Sequence, residues 1–358
     1  MSRLFERYSG KKRLAACTPW VKAMLSSVFG LEKAVQQTGL RFVVIDGSTV
    51  QEPGATETTY RLHIAFDLIN LTLRQVELTT DKIGEHLDHY LLESGDVVLI
   101  DRGYNQPKSL VPFLDRGGDI VLRYNPHSMN LFEKDETGKL VKIDWESRLK
   151  RLGHPQAAAI PVVLCHGHQS ISATVHAIRL PPEKIAEARR KTRERARKKG
   201  REVSEKALYL GDWVFILTTL STELIDTETA GALYRVRWQV ELLIKRMKSL
   251  LAIDQLRARK DSALAELYLY GKLLYAAVLE KISQRRFFGC QRRLDLPRHI
   301  TDWRLWTMIA NEIKAALQAC FPLQASFKDD CLKSLRERPR KRHLQTLPKA
   351  VITLLSMT

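Results

Sequence analysis

Tyr234, Arg237, Glu241 and Lys248 stand at offsets 0, 3, 7 and 14 along the chain. At about 100° per residue of α-helix they fall within an arc of roughly 60°, a narrow polar stripe. Beside it runs an apolar stripe of Leu233, Val240, Ile244, Met247 and Leu251. Such a helix packs on a hydrophobic layer while aiming one carboxylate and two cations along a shared edge, an alignment that ordinary surface pairing does not require. Two more acids, Asp46 and Asp101, follow the apolar runs Phe42-Val-Val-Ile45 and Val97-Val-Leu-Ile100. In an α/β sheet, ligands collect at strand ends, where side chains leave the core. Taken singly, each Asp is equally a turn or cap residue.

Three carboxylates from separate elements have a specific use. Hard divalent cations such as Mg²⁺ take oxygen ligands and keep open positions for water and phosphate oxygens. A two-metal site sets its ions roughly 3.5–4 Å apart, one activating a nucleophile and one stabilising the leaving oxygen. Without metal, converging carboxylates repel and raise one another's pKa. Arg237 and Lys248 then act as clamps on a negatively charged strand.

The elements that must position these residues are legible in outline. Arg41 to Asp46 is a β-branched run reaching an acid and Gly47, as a buried strand entering a turn would. Tyr60 to Phe66 and Thr72 to Leu78 alternate, which predicts two more strands, and Lys82 to Leu92 has helical spacing through Ile83, Leu87 and Leu91. Asp96 to Asp101 and Ile120 to Arg123 read as strands, with a helix over Pro107 to Leu114 between them. Short strand-like pieces, Leu140 to Ile143, Ile160 to Leu164 and Ala173 to Leu180, precede a basic helix after Pro181-Pro182. Trp213 to Leu220 is a further strand, Thr227 to Leu251 one long helix with Thr227 as N-cap, and Leu264 to Ile282 another helix. The fold class is α/β, a mixed sheet flanked by helices. The expected divisions are a short helical region 1–39, a first core part 40–123, an insertion 124–210 with the basic helix, a second core part 211–284 and a basic region 285–358.

The partner class follows from charge. The 358 residues carry 58 Lys and Arg against 40 Asp and Glu, a formal net charge of +18. Residues 51–100 are acidic, and the excess sits at the N-terminus, from Lys184 to Arg201 and from Lys333 to Arg342. Three basic blocks around an acidic middle point to a polyanion, nucleic acid first. With 44% hydrophobic residues the chain can bury a core. No apolar run reaches the roughly 18 residues of a membrane span, and no signal-peptide pattern opens the chain. Five scattered cysteines without a C-x-x-C pair suit a reducing cytosol.

Read together, these residues resemble the DDE transposases of bacterial insertion sequences, specifically the insertion-sequence-four family. The signature Y-x2-R-x3-E-x6-K of that family is matched in full by Tyr234, Arg237, Glu241 and Lys248. Asp46-Gly-Ser-Thr49 matches the context of its first acid and Asp101-Arg-Gly-Tyr104 that of its second. The similarity runs from about residue 40 to 283. The resemblance implies a ribonuclease-H-like core, interrupted by a β-rich insertion before the last catalytic helix. It implies that Asp46, Asp101 and Glu241 bind two Mg²⁺, with Mn²⁺ as a substitute. Water activated there cuts a transposon end, and the freed 3′-hydroxyl attacks the opposite strand or target DNA without a covalent protein intermediate. Tyr234, Arg237, Lys248, Trp238, Lys245 and Arg102 are the implied DNA contacts. The partners are then double-stranded DNA, as inverted-repeat ends and target, with a dimer on DNA, in the bacterial cytoplasm at the nucleoid. Many members have Phe at the Ile244 position and Asn at that of Thr219, neither a metal ligand. Members usually carry a longer N-terminal region that recognises the ends. About 40 residues precede the first strand here, which points to reduced end recognition or a shortened copy.

Other readings stay open beside this one. Trp238 either stacks on a displaced base or packs, and Arg102 either touches DNA or closes a salt bridge. The 184–201 helix either meets the DNA backbone or is a solvated arm. Cys165-His-Gly-His168 with His154 invites zinc, but its spacing fits no ordinary ligand pattern. His63 reads as a core or edge residue. Glu85 reads as an acid at a helix start, with a metal role second. Two other functions share these features: a retired transposase that binds DNA without cutting, and a ribonuclease-H-fold nuclease acting on branched DNA.

Overall fold

The structure, a computed structural model, describes residues 11–30, 39–153, 156–198, 200–258, 263–289, 301–319 and 349–356. A helix, α1 (Lys11–Gly30), precedes three strands, β1 (Arg41–Val50), β2 (Tyr60–Asp67) and β3 (Thr72–Thr80). Then come β4 (Asp96–Ile100), α2 (Pro107–Asp115) and β5 (Asp119–Arg123). In the sheet these five strands lie in the order β3-β2-β1-β4-β5. The β1–β2 and β2–β3 pairs are antiparallel, while β1–β4 and β4–β5 are parallel. This is the ribonuclease-H-like arrangement.

A second set of elements follows β5. It comprises β6 (Phe132–Lys134), β7 (Leu140–Lys142), α3 (Trp145–Arg151), β8 (Ala157–His166), β9 (Gln169–Arg179), α4 (Pro182–Lys198) and α5 (Glu205–Gly211). The strand β10 (Trp213–Thr218) pairs antiparallel to both β5 and β9, so the sheet continues through β10-β9-β8-β6-β7 to ten strands. The chain then enters α6 (Thr227–Val236), α7 (Trp238–Leu251) and α8 (Ala263–Ser283), with α9 (Asp302–Ala319) and α10 (Lys349–Ser356) beyond. The Lys333 to Arg342 block and His154 lie outside the described residues.

Strand side chains alternate between faces, and the two faces feed two cores. Phe42 and Val44 of β1, Val97 and Leu99 of β4 and Val121 of β5 pack with Leu233, Val240, Leu243 and Met247 of the α6–α7 layer. Val43, Ile45, Val98, Ile100, Ile120 and Leu122 face the other way, onto Leu110, Val111 and Phe113 of α2. Near-continuous aliphatic runs are what a parallel strand covered on both faces requires.

Three elements differ from the expected ones. Lys82 to Leu92 forms one 3₁₀ turn, Leu87–His89, and Ile83 and Leu91 are exposed. Side chains of neighbouring elements take its backbone groups instead. The Leu87 N–H donates to Ser109 Oγ (2.8 Å), Gln75 Nε2 to the His89 carbonyl (2.9 Å) and the Leu91 N–H to Gln75 Oε1 (2.7 Å). The helix over 227–251 is two helices with a tight turn at Arg237, whose N–H donates to the Tyr234 carbonyl three residues back. Its N-cap is Asp226, which accepts from the Thr229 N–H at 2.7 Å, while the Thr227 hydroxyl pairs with His176 Nδ1 at 2.8 Å. Finally, β1 does not stop at Asp46 but runs to Val50.

Candidate functional site

The position of Asp46 follows from how β1 is shared. Its parallel pairing with β4 ends at Val44↔Leu99, while its antiparallel pairing with β2 continues to Val50↔Tyr60. Asp46 therefore sits in a continuous strand at the point where the sheet opens between β1 and β4. Alternation puts it on the face of Phe42 and Val44, toward α6 and α7. Asp101 directly follows β4 on the same alternation as Val97 and Leu99, and it caps the Arg102–Tyr104 turn by accepting from the Arg102 N–H. The cap role and the site role thus fall on one residue. Arg123 ends β5 on the alternation of Val121, so three adjacent parallel strands each send a charged residue to one face.

The helix layer supplies the rest. Arg237, at the turn between α6 and α7, donates from Nη1 to Asp46 Oδ2 (2.9 Å) and from Nη2 to Glu241 Oε1 (2.7 Å). Its side chain is only 12% exposed, against 19% for Asp46 and 28% for Glu241, so this bridge is poorly screened by water. Tyr234 Oη donates to Asp101 Oδ1 at 3.5 Å, and the Arg237 guanidinium lies 5.9 Å from the Tyr234 ring centre. Two hydrogen-bonded groups, Asp46–Arg237–Glu241 and Asp101–Tyr234, thus meet where the Arg237 guanidinium lies against the Tyr234 ring, reached from β1, β4, α6 and α7.

Burial governs its electrostatics. It holds the Asp46 carboxyl above its ordinary pKa despite the pull of Arg237, and does the same to Glu241. Burial and the Asp101 charge push the Tyr234 phenol up to about 12, so it stays a donor at neutral pH. Burial works against the Arg237 cation, but Tyr234, Asp46, Asp101 and Glu241 together raise its pKa above the usual value.

The remaining expected contacts ring this centre. Lys245 places Nζ 4.3 Å from the Trp238 ring centre, one turn beyond Glu241, so both stay at the rim of α7. Lys248 is half-buried one turn farther along and Arg102 is exposed beside Asp101. Neither shows a side-chain partner among the described residues.

Two residues at the site were under-read from the sequence. Burial and the neighbouring Arg102 charge lower the Arg123 pKa to about 10, and no acid among the described residues pairs with it. Its signal was the run Ile120-Val-Leu-Arg123, which ends on a charge as the Asp46 and Asp101 runs do. Glu85 belongs to no helix. Burial raises its pKa, the Asp46 and Asp101 charges add to that, and Arg61 Nη1 stands 3.3 Å from its Oε1.

Other sequence candidates are elsewhere in use. Cys165 and His166 end β8, and Gly167 and His168 form its turn into β9. His63 is fully buried, with Nε2 2.8 Å from Thr79 Oγ1 and its ring stacked on His89 at 4.1 Å. Thr219 donates to Asp119 Oδ1 at 2.6 Å and so ties the end of β10 to β5.

The donor set fits a hard divalent cation in chemistry: only carboxylate oxygens, sparingly hydrated, balanced by one guanidinium. As the side chains stand, no group of three His, Cys, Asp or Glu among the described residues is placed to hold a metal ion. The Arg237 guanidinium stands between Asp46 and Glu241 and supplies the positive charge there.

Comparison with known proteins gives the family. Residues 37–276 match the family described as Transposase DDE domain. The chain is 27% identical over 281 residues to the transposase for insertion sequence element IS421 of Escherichia coli, covering 76% of this chain and 74% of that one. It is 25% identical over 242 residues to the transposase for insertion sequence element IS231C of Bacillus thuringiensis subsp. berliner, covering 64% of this chain and 49% of that one. A piggyBac transposase in a synaptic complex with hairpin DNA is distantly similar, with a TM-score of 0.41 and 9% identity over 88% of this chain and 62% of that one. At that distance nothing is carried between the two sites.

Proposed function

The chain belongs to the Transposase DDE domain family, and from that premise we propose that it cuts the ends of a mobile DNA element and joins the freed 3′-hydroxyl to DNA. The observation that carries this reading is the one-sided exit of Asp46 and Asp101 from adjacent parallel strands, with Asp46 joined through Arg237 to Glu241 and Asp101 held by Tyr234. Asp46, Asp101 and Glu241 are the residues we propose as ligands of divalent ions. Bound there, a pair of Mg²⁺ or Mn²⁺ ions would supply an activated water and stabilise the leaving oxygen.

The protein's own residues do the rest. The parallel strands β1 and β4 fix two carboxylates on a rigid frame, and α7 brings the third without a flexible loop. Tyr234 holds Asp101 by a hydrogen bond and keeps its own proton. Arg237, already charged and partly desolvated, is poised to move from the carboxylates to a phosphate oxygen as DNA arrives. Arg123 and Arg102 supply cations on the β5 side of Asp101, while Lys245 and Lys248 extend the basic edge along α7. The scissile strand would then cross the ends of β1, β4 and β5 beneath the first two turns of α7. A dimer that pairs two ends is part of the proposal.

A labelled duplex bearing the element's end, incubated with Mg²⁺ or Mn²⁺, tests this reading. The parent should cut at the end and produce strand-transfer products, while Asp46→Ala and Glu241→Ala bind the duplex without cutting. Cutting by those variants at the parent's rate would remove the assigned site. Binding by the parent without any cutting would favour a retired, DNA-binding transposase.

A further inference from the structure

Glu85 reaches the site from the side of the sheet opposite Glu241. A Cβ placed on Gly47 would lie 2.9 Å from Glu85 Oε1, and one on Gly103 only 1.7 Å from Oε2. Gly47 follows Asp46 directly, and Gly103 stands two residues after Asp101. The two positions that leave room for this carboxylate are therefore the ones adjoining the two strand-end acids. Gly47 shares the alternation of Val43 and Ile45, so the approach is from the α2 face. The segment that carries Glu85 is tethered at Leu87, His89 and Leu91 by Ser109 and Gln75 rather than coiled into a helix. That tethering keeps the carboxylate at the opening between β1 and β4. Its ion-pair partner is Arg61 of β2, at 3.3 Å.

We propose that Glu85 is a fourth carboxylate of the metal site, reaching it through the space left by Gly47 and Gly103. The inference rests on the metal-site reading of Asp46, Asp101 and Glu241. Its chemistry is that of a hard cation, which completes its oxygen shell from whatever carboxylates and waters are within reach.

Mn²⁺ titration of the full chain by calorimetry, without DNA, tests both levels. Asp46→Asn and Glu85→Gln should each weaken Mn²⁺ binding by about tenfold or more. Gly103→Ala should do the same, since its methyl group overlaps the carboxylate. Arg61→Gln should leave Mn²⁺ affinity at the parent's level or tighter, because it frees Glu85. Parent-like binding by Glu85→Gln and Gly103→Ala beside a weakened Asp46→Asn overturns the inference alone. Arg61→Gln weakened as much as Glu85→Gln also overturns it, by making the pair a packing contact. Parent-like binding by Asp46→Asn removes the metal-site reading itself. Unfolding midpoints in EDTA separate lost ligation from lost fold, and Gly103→Ala keeps the inference exposed should Glu85→Gln fail to fold.

Discussion

At the scale of single residues, the site is organised by which charges have partners. Arg237 is shared between Asp46 and Glu241, so its removal leaves two half-buried carboxylates facing each other. Arg237→Gln should lower stability in metal-free buffer by about 1.5–3 kcal/mol, the range for hydrogen bonds to charged groups, read by urea unfolding. Arg123 is the converse case, a cation set among Asp101, Tyr234 and Arg102 with no paired acid among the described residues. Arg123→Ala should leave the fold intact, weaken duplex binding across sequences and reduce the salt slope of binding by about one. A salt slope equal to the parent's would rule out a phosphate contact at this position. The run ending at Arg123 had the same form as those ending at Asp46 and Asp101. A search for acids alone passes over it.

At the scale of elements, two helices rest on particular anchors. The basic helix α4 is one-sided in charge, yet Arg189 donates from Nε to Asp212 Oδ1 at 2.8 Å, and Asp212 is buried. Several of its other cations pair within the helix, Lys191 with Glu187 and Arg190 with Glu194. Such exposed pairs contribute little, so docking of α4 depends on Arg189. Arg189→Ala should release α4, seen as faster amide exchange over residues 182–198, with protection of β1 and β4 unchanged. In α7, Leu243 is fully buried beneath the helix that carries Glu241. Leu243→Ala should cost about 2–5 kcal/mol by cavity formation, measured by urea unfolding, and cleavage should fall with it because Glu241 loses its support. The Lys82 to Leu92 segment shows the limit of periodicity. Its apolar spacing suits a helix, but Ser109 and Gln75 compete for its backbone groups and win.

At the scale of the whole molecule, the sheet ties acid sensitivity to the site. His63 pairs across β1 with Gly47 and is fully buried, and its pKa is lowered to about 4, chiefly by burial. The unfolded chain takes up that proton near pH 6.5. Between about 6.5 and 4 the unfolded state therefore binds more protons, and stability falls as pH drops through this window. His176, buried against Thr227 at the start of α6, has its pKa lowered by burial as well and adds to the same trend. The His63 contribution to the urea midpoint should decline as pH drops from 7 to 4, so His63→Gln should remove that decline relative to the parent, while the raised Asp46 and Glu241 carboxyls act in the opposite sense. An unchanged slope would place the sensitivity elsewhere. No helix among the described residues is long and apolar enough to cross a membrane. The net charge of +18 predicts duplex binding that weakens steeply with added salt.

The acids, the Tyr-Arg-Glu-Lys stripe, the strand cores and the family were all legible in the sequence, because alternation and helical spacing are local properties of the chain. Asp46, Asp101 and Glu241 could be singled out without knowing any contact between them. The meeting of Asp46 and Glu241 through one guanidinium belongs to the tertiary structure alone. So do the position of Arg123, without a paired acid among the described residues, and the approach of Glu85 through Gly47 and Gly103. Each depends on residues far apart in the chain being brought within a few ångströms, and on which polar group then claims which partner. Spacing along a sequence carries no information about that competition.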